Sequence, residues 1–317
     1  MSFVLKTNQA AYLLDPNNDS LVLKRKGKWS SVFLGYRVED KLPVVIKKLH
    51  NPNETQTQLR FQREALMGFN FDGVQHTLDA WKDDSGYYII KEFIDGLSLR
   101  QLLQKDIKNR AEFSIKCIIA TLDILEKIHS SGIVHADIRP DNILILVNKR
   151  GNPDLLNPSI RIIDFGLSVN MAEPIVTQRL PFSLLYSPPE QLLNLPELIN
   201  ASTDLFSLGL TLYESVAKYP PFFQENPEMI MHKQLNTAVT EHPKIHPLLL
   251  AFIRKATFKK QLRLPPSKLN MDEIRQTVFE GQQDRFTDCN QMRTILQEVV
   301  PNISETEKKS FFRKIFN

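Results

Sequence analysis

The sequence predicts an α+β fold in two lobes, a small strand-rich lobe with one main helix followed by a larger helical lobe. Three observations predict it. The chain has 317 residues, 42% of them hydrophobic, which is enough to bury the cores of about two lobes. Strand-like apolar runs cluster in the first third, at Leu21-Val-Leu-Lys24, Pro43-Val-Val-Ile-Lys-Lys-Leu49 and the segment opening at Gly86. Beyond them, Ile115, Ile118, Ile119, Leu122, Leu125 and Ile128 recur at helical spacing, with Gly132 placed to cap a long core helix.

Composition narrows the function classes. A net charge of +4 spread over this length points to neither nucleic acid nor membrane as partner. The two cysteines, Cys117 and Cys289, are too far apart in sequence to read as a zinc motif or a disulfide framework, so a reducing, cytoplasmic setting is expected. The start, Met1-Ser-Phe-Val-Leu-Lys6, lacks the pattern of a signal peptide, and no apolar run approaches a membrane span.

In chain order, residues 1–19 read as a lead-in, with Asp15-Pro-Asn-Asn-Asp-Ser20 a turn cluster. Leu21–Lys24 feeds Arg25-Lys-Gly27-Lys-Trp29-Ser30-Ser31-Val32, a strand-turn-strand whose backbone N–H groups can cover phosphates. The strand Pro43–Leu49 ends in Lys47 and Lys48, which alternation sends to opposite faces. Asn51-Pro-Asn-Glu54 opens a helix with Leu59, Ala65, Leu66 and Phe69 on its apolar side. Gly86 to Leu99 reads as strand, connector and helix. His129 reads as structural. Asn148-Lys-Arg-Gly-Asn-Pro153 is a turn-rich insert between strands.

The chemistry concentrates in Ile133-Val-His-Ala-Asp-Ile-Arg-Pro-Asp-Asn-Ile-Leu144. Asp137 stands two residues before Arg139 and five before Asn142, between apolar segments that hold the loop. Asp137 can accept the proton of an attacking hydroxyl, Arg139 can steady a phosphate, and Asn142 can hold a metal ion. Asp164, in Ile163-Asp164-Phe165-Gly166, supplies a second carboxylate for Mg²⁺.

These residues resemble the protein kinase family. His135-Ala136-Asp137-Ile138-Arg139-Pro140-Asp141-Asn142 is similar to its H-R-D-L-x-x-x-N loop, and Asp164-Phe165-Gly166 matches its D-F-G. The resemblance implies a bilobal kinase-like fold with ATP and Mg²⁺. It implies that Lys47 holds the nucleotide phosphates and that Glu64 orients Lys47 through an ion pair. Asn142 and Asp164 would be the metal ligands, and Asp137 the group that orients and deprotonates the substrate hydroxyl. Gly27, Val32, Val45 and Leu144, with the backbone of Glu92 and Ile94, would line the nucleotide site. Lys91 takes the position at the back of the pocket and is expected to pair with Glu64 or Asp164, because burying an unpaired ammonium is costly. Arg139, two residues after Asp137, resembles the lysine of serine/threonine kinases.

The chain departs from the family pattern in three places. Arg25 and Ser30 stand where the first and third glycines of the phosphate loop belong. Ala136 replaces the arginine of H-R-D, a non-RD variant, so activity is expected not to depend on a phosphate held by that arginine. Pro188-Pro189-Glu190 stands for A-P-E and closes a segment from Asp164 in which Thr177 and Ser183 are candidate phosphosites. Asp204, in Asp204-Leu-Phe-Ser-Leu-Gly209, is expected to anchor the catalytic loop, and Tyr219-Pro-Pro-Phe222 follows as in kinases. Arg263 is expected to pair with Glu190.

The resemblance assigns residues 20–266 to a kinase domain, divided at 93/94. Residues 267–317 then form a charged helical extension. Ser304 to Glu307 reads as a capping box, and Phe311, Phe312, Ile315 and Phe316 make one apolar face that docks on the large lobe or meets a partner or an anionic membrane. The expected function is ATP-dependent phosphorylation of serine or threonine hydroxyls in protein substrates. Two alternatives remain: a pseudokinase scaffold, favoured by Arg25, Ser30, Lys91 and Ala136, and a small-molecule kinase of related fold.

Overall fold

The structure is a computed structural model that describes residues 3–14, 25–26, 30–50, 55–84, 86–172, 180 and 182–299. The chain divides into two compact units. The first holds Met1–Asp95 with Ile163–Gly166, and the second holds Gly96–Ile162 with Leu167–Asn317. The division falls two residues after the one expected at 93/94.

The first unit is built on one antiparallel sheet. Its strands are β1 (Phe3–Lys6), β2 (Ala11–Leu14), β3 (Arg25–Lys26), β4 (Ser30–Arg37), β5 (Pro43–Leu49), β6 (Thr77–Asp83) and β7 (Gly86–Glu92). They run in the order β1-β2-β4-β5-β7-β6, with β3 also paired to β4. Alternation sorts the core onto two faces. Val44, Ile46, Tyr88 and Ile90 cluster with Leu5 and Tyr12 on one face. Leu49, Tyr87 and Ile89 cluster with Phe61 on the other.

Residues 3–14 are therefore sheet and core, more than the lead-in expected. Tyr12 hydroxyl and Thr7 Oγ1 both donate to Asp79 Oδ2 on β6, at 3.2 and 2.5 Å. This ties the β1–β2 hairpin to the strand at the other end of the sheet order. Burial and the Asp79 charge push the Tyr12 phenol up to about 12.

Strands β2 and β3 pair with the same partner. Tyr12 lies opposite Arg37 and Arg25 opposite Val32, so the chain advances thirteen residues while β4 advances five. The turn expected at 15–20, the strand at 21–24, and Gly27, Lys28 and Trp29 of the phosphate loop lie outside the described residues, as does the helix opening at 51–54.

The main helix of this unit, α1 (Thr55–Leu66), keeps Ala65 of the expected apolar side against the core but turns its two leucines outward. Thr57, Phe61 and Glu64 are buried, whereas Leu59 and Leu66 are exposed. The apolar leucine stripe outweighed the buried face in the sequence because that face carries a threonine and a carboxylate. Phe69 lies beyond the helix end and packs on Phe165, with ring centroids 4.9 Å apart.

The second unit is mainly helical. Its long helices are α3 (Arg110–Ser130) and α5 (Ala201–Ala217). The periodic residues of α3 are buried as expected, with Ile119 only half-buried. Asn200 caps α5 through a capping box with Thr203, and nearly every residue of α5 is buried. Gly209 lets α5 approach α7 (Pro247–Ala256): a Cβ there would lie 2.8 Å from Ala256 Cβ. Short strands β8 (Gly96–Ser98), β10 (Ile143–Leu146) and β11 (Ile160–Ile162) form one sheet, and β9 (Ile133–Val134) pairs with β12 (Val169–Asn170).

The unit continues past residue 266. Helix α8 (Met271–Gln283) opens with a capping box between Asn270 and Glu273, and the residues from 289 to 299 are helical. Phe286, Met292 and Leu296 are fully buried. Glu190 pairs with Arg285, not with Arg263, which is exposed. The motif around Arg263 has the right character but sits on the surface, while Arg285 comes from a segment with no sequence signal. The capping box at 304–307 and the apolar face at 311–316 lie outside the described residues.

Candidate active site

Each unit carries one group of the candidate residues. In the first unit, pleating puts Lys47 of β5 and Lys91 of β7 on one face, with Val45 directly opposite Lys91 and Lys47 opposite Ile89. Glu64 of α1 lies between the two ammonium groups. Its Oε2 is 2.7 Å from Lys47 Nζ and its Oε1 is 2.5 Å from Lys91 Nζ. Lys47 also donates to Asp164 Oδ1 at 2.8 Å. The expected Lys91 pairing with Glu64 is present. Burial works to lower the Lys47 pKa, but the Asp164 and Glu64 charges and hydrogen bonds outweigh it and raise the pKa above an ordinary lysine's.

Gly166 borders this cluster. A Cβ there would lie 3.1 Å from Glu64 Oε2, 3.2 Å from Asp164 Oδ1 and 3.4 Å from Lys47 Nζ. Phe165 is buried against Phe69 and fixes the chain on the other side of Asp164. Val32 and Val45 are half-buried on neighbouring strands. The Glu92 carbonyl accepts from Gln75 Nε2 at 2.9 Å and its N–H donates to the His76 carbonyl at 3.0 Å. Both backbone groups of Glu92 are thus engaged by the stretch at Gln75 and His76. Ile94 is half-buried, and Gly27 lies outside the described residues.

In the second unit, Asp204 organises the loop. It lies in the first turn of α5, is fully buried, and accepts from the His135 and Ala136 N–H groups at 2.9 and 2.8 Å. The helix N-terminus favours a carboxylate there. His129 Nε2 lies 2.8 Å from the same carboxylate, which bears out its structural reading, and its Nδ1 is 3.5 Å from Cys289 Sγ. Ala136 has φ of 60°, a left-handed conformation costing about 1–2 kcal/mol for a residue with a Cβ. Its carbonyl accepts from Gln191 Nε2 at 2.9 Å. The methyl group packs with Val134, Leu180 and Ile199.

Asp137 is thereby aimed and held. Asn142 Nδ2 donates to the Asp137 carbonyl and to Oδ2, both at 2.9 Å, and Ser183 Oγ donates to Oδ1 at 2.5 Å. Both amide hydrogens of Asn142 are used, so its oxygen is the donor that a hard cation would meet. Arg139 is placed by Asp141, at 2.6 Å, and lies 3.4 Å from Ser183 Oγ. Asp141 had no sequence signal beyond its place in the loop. Leu144 is half-buried on β10, and Thr177 lies outside the described residues.

A carboxylate held by an asparagine and a serine in one unit, and a lysine held by a helical glutamate in the other, together reproduce the constellation of one family. The protein kinase domain family matches residues 26–309. The chain belongs to the protein kinase family. It is 30% identical over 216 residues to a probable serine/threonine-protein kinase of Streptomyces coelicolor, covering 64% of this chain and 30% of that protein. It is 28% identical over 240 residues to the serine/threonine-protein kinase PknB of Mycolicibacterium smegmatis, covering 71% of this chain and 36% of that one. PrkC of Bacillus subtilis, also a serine/threonine-protein kinase, is 25% identical over 282 residues, covering 86% and 41%. The chain thus spans 30 to 41% of the length of these relatives. The kinase match runs past residue 266, in agreement with the burial of Phe286 and Leu296. Among the described residues, no helix is long and apolar enough to cross a membrane.

Proposed function

We propose that this chain is an ATP-dependent protein kinase that transfers a phosphoryl group to serine or threonine hydroxyls of protein substrates. The observation that carries the reading is the state of Asp137, whose two oxygens are fixed by Ser183 and Asn142 within a loop hung from Asp204. A carboxylate so fixed can orient a hydroxyl and take its proton, a contribution of about 10²–10⁴ in rate. Lys47, held by Glu64, binds the nucleotide phosphates. Arg139, beside Ser183, carries positive charge next to the proton acceptor and steadies the transferring phosphate, which supports serine and threonine as acceptors. Val32, Val45 and Leu144 pack on adenine, with the Glu92 carbonyl and the Ile94 backbone along its edge.

Asn142 with its amide oxygen and Asp164 with its carboxylate would each be a hard oxygen ligand of the kind Mg²⁺ takes. When bound it neutralises charge on the nucleotide phosphates. The free, buried thiols of Cys117 and Cys289 support a reducing, cytoplasmic setting.

The test is incubation of the purified chain with Mg²⁺ and γ-labelled ATP, alone and with a generic basic protein, beside an Asp137→Ala control. Label on protein serine or threonine in the wild type and its absence in the control are expected. Label on neither, with nucleotide bound by both, would overturn the reading.

A further inference from the structure

The buried cation at Lys91 has no part in the chemistry described so far. It is 4% exposed and its ammonium lies 2.5 Å from Glu64 Oε1, on a carboxylate that is itself 2% exposed. The other oxygen of that carboxylate holds Lys47 at 2.7 Å. The four groups therefore alternate in charge, Lys91, Glu64, Lys47 and Asp164, each joined to the next by one contact. Glu64 serves two lysines from adjacent strands, one register step apart on the same face. Two ammonium groups so placed repel each other unless a carboxylate lies between them.

Besides the ion pairs, Ala65 also packs α1 on the sheet. Phe61 joins Leu49, Tyr87 and Ile89, and Gln58 Nε2 donates to the Tyr87 hydroxyl at 2.7 Å, while Leu59 and Leu66 face outward. We propose that Lys91 is a positioning residue for phosphoryl transfer: from β7 it fixes one oxygen of Glu64, so that the other is presented to Lys47 at the place where Lys47 must meet the nucleotide phosphates. This deepens the kinase reading and rests on it. The role runs through Glu64. Lys91 makes α1 fast to the sheet by an ion pair that does not involve Lys47, so the inward setting of Glu64 is built into the strand.

The experiment is a double-mutant cycle on the whole chain, with Lys91→Met, Lys91→Arg, Glu64→Gln and Lys91→Met/Glu64→Gln. Three quantities are measured: MgATP affinity by displacement of a fluorescent nucleotide, kcat and KM for ATP, and the urea midpoint. Lys91→Met keeps the volume of the stem and removes the charge. It should weaken MgATP binding and lower kcat/KM by about ten- to a hundredfold, the scale of a misplaced catalytic group. Lys91→Arg should restore part of the loss. In the Glu64→Gln background the same change should add nothing to the nucleotide effect, because the carboxylate through which Lys91 acts is gone. In stability, Glu64→Gln should be the most damaging single change, since it strands Lys91 in the core, and adding Lys91→Met should recover part of the midpoint.

A Lys91→Met protein with shifted midpoint but unchanged nucleotide affinity and kcat/KM would reduce Lys91 to a stability role and overturn the proposal. Losses that add in the double variant would overturn it differently, by showing that Lys91 meets the nucleotide directly. The kinase reading fails elsewhere, in the turnover of wild type against Asp137→Ala, while positioning by Lys91 is read in nucleotide affinity, so the two failures are distinct.

Discussion

Arg285 Nη1 lies 2.9 Å from Glu190 Oε1 and 3.2 Å from Oε2, across ninety-five residues of chain, with both side chains fully buried. Two further hydrogen bonds hold the pair. Arg285 Nε donates to the Phe258 carbonyl at 2.7 Å, and Thr203 Oγ1 donates to Glu190 at 3.1 Å. Removing one partner leaves the other as an uncompensated buried charge, a loss of about 3–5 kcal/mol. Arg285→Ala should therefore shift the urea midpoint strongly or abolish soluble expression. Arg263→Ala, at an exposed site, should move stability by no more than about 0.5 kcal/mol. A chain cut after residue 266 loses the pair and the buried Phe286 and Leu296 together, and should not fold.

Gly166 gives a second prediction, local to Lys47. A methyl group there would press on Glu64 Oε2 and Asp164 Oδ1 at little over 3 Å. Carboxylate tips on side chains already locked by Lys47 and Lys91 cannot swing away without breaking an ion pair. Gly166→Ala should then raise KM for ATP and lower kcat/KM by about tenfold or more, while the melting temperature moves little. Unchanged ATP kinetics would show that the cluster yields at no functional cost.

The sequence made the chemistry legible and misplaced some of its supports. The contacts that the resemblance implied were readable where they fall in motifs: Lys47 meets Glu64 and Asp164, and Asn142 holds Asp137. Lys91 was readable for a different reason: a lysine in an apolar strand must find a carboxylate. The inward face of α1 was not, because Thr57 and Glu64 are polar while the outward Leu59 and Leu66 are not. Arg285 was hidden because its partner lies ninety-five residues away, and one arginine among many carries no local mark. The N-terminal strands were unreadable as sheet because each is only four residues long, FVLK and AYLL, and neither alternates apolar with polar residues.

Ala136 yields a third prediction, about regulation. Its methyl group packs against Val134, Leu180 and Ile199, and the Leu180 N–H donates to Asn194 Oδ1 at 2.6 Å. The segment after Asp164 is thus fixed at Leu180 by apolar packing, where the family pattern has an arginine at 136. Protein treated with phosphatase should keep its activity towards a peptide substrate. Leu180→Ala should cost about 2–5 kcal/mol, the range for a buried leucine. Restoring the family residue should harm: Ala136→Arg would force a guanidinium into that apolar cluster, at a position with φ of 60°, and should lower stability. Activity that appears only after phosphorylation would contradict the argument.

Lys259 carries the last prediction, on pH. It is buried, and its ammonium has no hydrogen-bond partner among the described residues. Burial, and then the nearby Arg285, hold its pKa well below that of an ordinary lysine. The Phe222 ring, with its centroid 4.1 Å from Nζ, opposes them by favouring the cation. The folded protein therefore releases this proton at a lower pH than the unfolded chain, whose lysine titrates near 10.4. Between those two values the unfolded state binds more protons, so stability rises with pH across the window and the lysine's cost is largest at its acid side. Lys259→Met removes the titration and leaves an apolar stem of similar volume between Phe222 and Phe206. The variant should have the higher urea midpoint at neutral pH, and its advantage should shrink steadily as pH approaches 10. Other groups titrate in both proteins, so the difference between the two curves is what decides. A difference that stays flat from neutral pH to 10 would mean that the aromatic rings hold Lys259 charged in the core.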